Sequence, residues 1–361
     1  MIRICSTYLN VRVGSPATSA PSFIFLTPGE VVDVSETVPG TMLEGNNRWY
    51  KGTGDSYYWS GGFEGAQSHS FRIIATANPA QQLLNYNALM DGLDKKLLAN
   101  LGGETSIAIL DTGYSFEHPD LQKVTVTDSK NFIAQNENIE DDSIHGHGSH
   151  ILGLMGGSAT GIKGIGGLAP MAKYQIYKVM PSSEDASVDT LMQAWQHMQA
   201  SCLPHIVNMS LSISGLEYLS VKPFLETFTT QTICVVAAGN NEDLLADKKG
   251  MYALAKHPNV LSVGSVSKEF FLNNPAPVFH PRLDFIVPLV DLWSCSNEKE
   301  NAYKKLGGCS MGTAIVTGIA SLLLSAQPPL KANPTAMRSA LKEVALSYSS
   351  YLFSTFNLLK P

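Results

Sequence analysis

The hydrophobic rhythm of the chain changes twice. Up to about residue 66, short β-forming stretches recur at intervals of about ten residues, each bounded by a turn cluster. They are Tyr8-Leu9-Asn10-Val11-Arg12-Val13, Phe23-Ile24-Phe25-Leu26, Val31-Val32-Asp33-Val34, Arg48-Trp49-Tyr50-Lys51 and Tyr57-Tyr58-Trp59. Gly14-Ser15-Pro16, Pro28-Gly29-Glu30 and Gly52-Thr53-Gly54-Asp55 separate them. Short strands with close turns predict a small all-β barrel over 1–66.

Apolar spacing then turns helical over 80–98, inside a joining segment 67–103 that Gly102-Gly103 closes. From Ser106 onward, near-continuous apolar runs at 107–110, 175–179, 206–210, 233–238 and 260–264 alternate with helical stretches at 188–198, 224–230 and 312–326. Such runs suit strands of a parallel sheet buried on both faces. The expectation for 104–361 is a three-layer α/β domain with a mainly parallel sheet, whose ligands bind beyond the carboxyl ends of the strands.

With 361 residues and 44% apolar content, the chain has material for one large and one small domain, at about 100–200 residues per domain. A formal net charge of -6 with scattered Lys and Arg offers no basic stripe for phosphate backbones, so nucleic acid is not an expected partner. No run reaches about 18 uninterrupted apolar residues, which predicts no membrane span. The start, MIRICSTYLNVRV, has neither the charged opening nor the apolar run of a secretory signal. A cytoplasmic location is the expectation, or a secreted or periplasmic one for a chain whose leader was removed. Cys5, Cys202, Cys234, Cys295 and Cys309 are far apart and form no CxxC pair, which predicts buried free thiols rather than a disulfide framework or a zinc site.

Four positions carry candidate chemistry. Asp111 follows the run 107–110 and opens Asp111-Thr112-Gly113; alone it reads equally as a turn aspartate. His147 lies in His145-Gly146-His147-Gly148-Ser149-His150 before an apolar helix. Three histidines there also raise a metal reading, but the HExxH pattern is missing. Ser310, in Gly307-Gly308-Cys309-Ser310-Met311-Gly312 before the helix at 315–324, is either a helix cap or a nucleophile whose own N–H faces a developing oxyanion. Asn240 ends Ala237-Ala238-Gly239-Asn240, as a turn residue or an amide donor to that oxyanion.

In chain order, Asp111-Thr112-Gly113 with His118-Pro119-Asp120-Leu121, then His147-Gly148-Ser149-His150, Ala237-Ala238-Gly239-Asn240 and Gly308-Cys309-Ser310-Met311 resemble the subtilisin-like serine peptidases. Gly164-Ile165-Gly166-Gly167-Leu168-Ala169-Pro170, Ile206-Val207-Asn208-Met209-Ser210-Leu211 and His257-Pro258-Asn259-Val260 extend the likeness over 104–346. The resemblance implies that Ser310 attacks the scissile carbonyl, His147 carries the proton, Asp111 orients His147, and the Ser310 N–H with the Asn240 amide forms the oxyanion hole. His150 is then structural. Substrate contacts are implied for Ser210, Leu211, Ser212 and Ile213, and for Met180, Ala238, Gly239 and Tyr252. The implied partner is a protein or peptide substrate, and no cofactor is required.

Departures from the family pattern fall beside these residues. Cys309 replaces the usual Thr before the serine, and nothing nearby marks it as a reactive thiolate. Ser210-Leu211-Ser212-Ile213 stands where Ser-Leu-Gly-Gly is common, which predicts a narrowed primary pocket, while Glu242 and Asp243 keep a basic residue open there. The resemblance makes Asp120 a candidate calcium ligand, although Ser158-Ala159-Thr160-Gly161-Ile162-Lys163 lacks the family's Asn and carries a Lys. Residues 1–66 do not resemble a mixed α/β pro-domain. LNVRVGSPATS, LTPGEVVDV, RWYKG and YYWSGGFE are instead similar to a bacterial SH3-type domain. That resemblance implies a peptide ligand, a cell-wall peptide among them, with Trp49, Tyr57, Tyr58 and Trp59 as either a recognition groove or core. A catalytically silent peptide-binding scaffold and a protease directed by the SH3-like domain are the competing functions.

Overall fold

The computed structural model describes residues 2–5, 9–20, 22–26, 31–52, 55–63, 100–158, 166–181, 186–213, 217–245, 250–267, 270, 273, 279–288, 291–298 and 303–347. Two compact units divide the chain: Met1–Ala77 with Ser267–Pro277 and Ala345–Pro361, and Asn78–Val266 with Val278–Val344. The expected boundary at 66 and the expected helix over 80–98 lie outside the described residues.

The first unit contains β1 (Ile2–Ile4), β2 (Leu9–Val13), β3 (Ser22–Leu26), β4 (Val31–Asp33), β5 (Glu36–Leu43), β6 (Asn46–Lys51) and β7 (Ser56–Trp59). Five of them form an antiparallel sheet in the order β3-β2-β7-β6-β5, and β1 pairs with β4. The β6–β7 register sets Trp49 opposite Trp59. Both rings are buried with Leu9, Val11, Leu26, Tyr58 and Phe63. Their indole N–H groups donate to Thr41 O at 2.9 Å and Asn46 O at 3.1 Å, so each polar edge is satisfied as it is buried. Trp49, Tyr58 and Trp59 are therefore core, with Tyr57 packed against it; the recognition groove of exposed aromatics does not form. A sheet this small has few other side chains large enough to fill its interior. The strand β5 was not expected, because it is an exposed edge interrupted by Pro39 and Gly40.

The second unit is built on a seven-stranded sheet, with every neighbouring pair parallel. Its strands are β8 (Ser106–Asp111), β9 (Thr125–Asn131), β10 (Lys173–Lys178), β11 (Ile206–Met209), β12 (Ile233–Asn240), β13 (Leu261–Val266) and β14 (Phe285–Pro288), in the order β14-β13-β12-β11-β8-β10-β9. Strands β11 and β13 are buried along their whole length and β8 from Ile107 onward, as their apolar runs predict. The helices are α1 (His147–Gly156), α2 (Val188–Ala200), α3 (Tyr218–Phe228), α4 (Cys309–Ala326) and α5 (Pro334–Ser347). A two-stranded ladder of β15 (Leu292–Cys295) and β16 (Tyr303–Leu306) packs on α1 through β15.

Helix α4 packs along β11, β12, β13 and β14 and against α1. It is long and apolar enough to cross a membrane by length and composition, yet 83% of it is buried inside the unit. Helix α3 begins at Tyr218 rather than at 224, with Pro223 inside it; the proline is what broke the expected pattern. It packs on α2, where Trp195 stacks on Phe224 with centroids 5.4 Å apart.

Candidate active site

Strand β8 is the switch point of the sheet: the chain places β10 and β9 on one side of it and β11 to β14 on the other. Crevices open beyond the carboxyl ends of strands at such a point. Asp111 is the last residue of β8, Asn240 the last of β12, and Ser210 the first after β11. Ladder pairs Leu110–Met209 and Met209–Val236 set these three strands side by side.

The Asp111 side chain is fully buried, and His147 Nδ1 lies 2.7 Å from its Oδ1. The Thr112 N–H donates to the same oxygen at 2.8 Å. Among the described residues Oδ2 has no hydrogen-bond partner. His147 is the first residue of α1, whose N-cap, Gly146, offers no side chain to the orphan N–H groups of the first turn. Residues distant in sequence cap the helix instead. Thr112 Oγ1 accepts the Gly148 N–H at 2.9 Å, and Asp141 Oδ2 accepts the Ser149 N–H at 2.9 Å and the Ser149 hydroxyl at 2.8 Å. Asp141 Oδ1 accepts the hydroxyls of Thr112 and Ser143, at 3.0 and 2.6 Å.

Asp141 is thus a buried carboxylate at a helix N-terminus, where the aligned peptide dipoles favour negative charge. Burial alone would lower the His147 pKa, but the charges of Asp111 and Asp141 and the bond to Asp111 outweigh it and hold the imidazole above its ordinary value. Gly146 has φ 62°, and a Cβ there would lie 2.5 Å from Asn297 Oδ1. Asn297 straps this loop by donating Nδ2–H to Asp141 O and Ser143 O, both at 2.7 Å.

His150 does not join the site. Its Nε2–H is shared between Leu292 O (2.9 Å) and Lys304 O (3.2 Å), and burial pushes the imidazole down to about 3. Ser294 Oγ donates to His150 O at 2.8 Å. Together these bonds fasten β15 and β16 to α1.

Ser310 is the second residue of α4, after Gly308 at φ 123°. That conformation suits glycine, and a Cβ there would sit 3.6 Å from Asn240 Oδ1. The Cys309 N–H donates to Asn240 Oδ1 at 2.8 Å, which fixes the amide so that Nδ2 is the end left to donate elsewhere. Asp243 Oδ2 accepts the Asn240 N–H at 3.2 Å, so this acidic residue serves the turn that presents Asn240. Ser310 Oγ faces Ser210 O at 3.4 Å, while Ser210 Oγ donates to Ser310 O at 2.9 Å and accepts from Asn208 Nδ2 at 3.0 Å. Ser210 thereby braces the serine turn. Leu211 and Ile213 are buried and Ser212 is half-buried. Met180, buried, donates its N–H to Asp111 O, and the half-buried Tyr252 donates its N–H to Ala238 O beside Gly239.

Calcium takes six to eight oxygen ligands. Among the described residues, the ligand-type groups gathered at Asp120 are His118 and Cys295, with the Tyr303 hydroxyl donating to Asp120 Oδ2 at 2.9 Å. A nitrogen, a thiol and a phenol do not suit calcium, and 159–163 of the expected calcium loop lie outside the described residues.

Asp141 and Asn297 carry much of this geometry and were not singled out in the sequence. Asp141 stands between Glu140 and Asp142 with no motif around it, and the hydroxyls that it collects are up to 29 residues away.

A buried Asp–His pair at the switch point of a parallel sheet, with a serine at the mouth of a core helix, is the framework of a serine hydrolase. The profile of the Subtilase family matches residues 102–355, and the chain belongs to this family of subtilisin-like serine peptidases. It is 28% identical to Subtilisin Savinase of Lederbergia lenta over 251 residues, 69% of this chain and 86% of that one. It is also 28% identical to an alkaline protease of Shouchella clausii over 251 residues, 69% of this chain and 61% of that one. In fold it is similar to a cold adapted subtilisin-like serine proteinase, with TM-score 0.55 and 21% identity over 68% of this chain and 83% of that one. The prenylagaramide maturation protease PagA is similar at TM-score 0.51 and 21% identity, over 68% of this chain and 86% of that one.

Proposed function

We propose that this protein is an endopeptidase that cleaves polypeptides through an acyl-enzyme on Ser310. The observation that carries the reading is the 2.7 Å bond between His147 Nδ1 and the buried Asp111, at the sheet edge that also holds Ser210 and Asn240. Asp111 keeps the Nδ1 proton in place, so Nε2 is the basic atom. Ser310 turns from Ser210 O toward Nε2 when substrate binds; its Oγ attacks the carbonyl carbon as the proton passes to His147. The tetrahedral oxyanion takes the Ser310 N–H and Asn240 Nδ2–H. His147 then protonates the leaving amine, and water repeats the sequence to release the acid and restore Ser310. No step calls for a metal or cofactor.

Ile213 and Ser212, in place of two glycines, support a primary pocket for small side chains. The SH3-like motifs of the first unit support a module for a peptide ligand. With Trp49, Tyr58 and Trp59 in the core, such a ligand must use other residues of the unit.

A fluorophosphonate probe tests the chemistry. The wild type is expected to label and Ser310→Ala to remain unlabelled; a folded wild type that never labels would establish the silent-scaffold alternative. Profiling a peptide library on the same preparation reads the pocket, and strong cleavage after large aromatic residues would remove the small-side-chain reading.

A further inference from the structure

Away from Ser310, three side chains of metal-binding type converge in the interior of the second unit. His118 and Asp120 come from the loop after β8, and Cys295 from the end of β15. All three are buried, and one ligand atom from each lies within 4.8 Å of the others. We propose that His118, Asp120 and Cys295 bind a borderline-soft divalent cation of zinc type, which pins β15 to the loop after β8 beside the helix that carries His147.

The donor set decides the class of ion. Nitrogen, oxygen and sulfur together match zinc, while calcium and magnesium take oxygen alone. Three protein ligands leave one tetrahedral position for water. The surroundings supply outer support of the kind that orients metal ligands. Tyr303 donates its hydroxyl to Asp120 Oδ2 at 2.9 Å and meets the His118 ring edge to face, with centroids 5.1 Å apart. The Asp120 N–H donates to His118 Nδ1 at 3.2 Å, and Ser158, just past the end of α1, donates its N–H to Asp120 O at 2.9 Å. Coordination by His118 exchanges part of this bonding for the ion.

Without a cation Cys295 is a buried thiol beside the Asp120 carboxylate. When the ion enters, the sulfur–metal bond forms as the thiol proton leaves to solvent, and the cation offsets both the thiolate and the carboxylate. The mechanical reach is short. A Cβ on Gly153 of α1 would lie 2.9 Å from Cys295 Sγ and 2.3 Å from Ser294 Oγ, so helix and strand are in direct contact at the site.

The test is a titration of the chelator-treated full chain with cobalt(II), in a Cys202→Ser background that removes the exposed thiol. One equivalent is expected, with a thiolate-to-cobalt charge-transfer band that zinc abolishes and that excess calcium leaves unchanged. Cys295→Ser is expected to lose the band. Tyr303→Phe, which keeps all three ligands, is expected to weaken cobalt affinity by about tenfold or more, and zinc is expected to raise the melting temperature of the parent but not of Cys295→Ser. A folded parent that gives no thiolate band, or a band that survives Cys295→Ser, overturns the site. Neither result bears on Ser310 labelling, so the two readings fail separately.

Discussion

Asp111 and His147 are fastened largely by bonds between side chains, whereas the bonds that hold Ser310 and Asn240 each have a backbone group at one end. On the first side, a buried carboxylate, Asp141, gathers the hydroxyls of Thr112, Ser143 and Ser149 and caps the helix that begins at His147. On the second, the Cys309 N–H holds Asn240, a glycine at φ 123° opens the helix, and Ser210 grips the Ser310 carbonyl. The difference follows from what each side handles. A buried carboxylate that must orient an imidazole relies on neighbouring donors and acceptors committed in advance. A site for a charge that appears only during reaction must keep its donors uncommitted until then.

Breaking the charged side has the largest expected effect. Asp111→Asn keeps the shape, with the Thr112 N–H holding the amide oxygen at the Oδ1 position, but removes the charge that stabilises the protonated imidazole. A loss of about 10⁴ in kcat is expected, the size known for the equivalent change in trypsin-like enzymes. Steady-state hydrolysis measures it, and a loss under tenfold would show that the 2.7 Å bond does not govern the base.

On the backbone side, Asn240→Ala removes one oxyanion donor and leaves the Ser310 N–H. A loss of about 10²–10³ in kcat with little change in KM is expected, a magnitude carried over from a subtilisin rather than derived from this chain. If KM rises while kcat holds, Asn240 binds substrate and does not stabilise the oxyanion.

Asp141→Asn tests whether the mesh behind the pair acts electrically as well as mechanically. The base works only when His147 is neutral, so kcat/KM rises with pH through a His147 pKa that lies above its ordinary value. Removing the Asp141 charge removes part of what raises it. The acid limb is therefore expected to move to lower pH, opposite to what a merely loosened helix would give. Each buried donor left unpaired is expected to cost about 1–3 kcal/mol, read by thermal unfolding. A lower melting temperature with an unmoved acid limb would confine Asp141 to a structural role.

Legibility divided along the same line. Strands buried on both faces, such as β8, β11 and β13, are continuous apolar runs and were readable as such. Edge strand β9, with alternating exposed positions, and the Lys-bearing β16 carry no such run and were not. Asp111, His147, Asn240 and Ser310 each stand within two residues of a glycine in short ordered motifs, because tight backbone geometry leaves a local signature. Asp141 leaves none. Its burial is produced by Thr112, Ser149 and the strap from Asn297, 156 residues away from the carbonyl it holds, and no local pattern encodes a contact at that separation.

The smallest expected effect is on the residue that departs most visibly from the family pattern beside the nucleophile. Cys309 touches Asn240 through its backbone N–H, which any residue but proline supplies. Its thiol is 3% exposed and pushed up to about 11 by burial, so at neutral pH it is neither charged nor reachable by substrate. Cys309→Thr restores the usual residue and changes no backbone donor. It is expected to shift kcat/KM by less than about tenfold, under 1.4 kcal/mol, and to leave probe labelling intact. A collapse of labelling in folded Cys309→Thr would mean that the side chain itself takes part, and the division between a side-chain half and a backbone half of the site would fall with it.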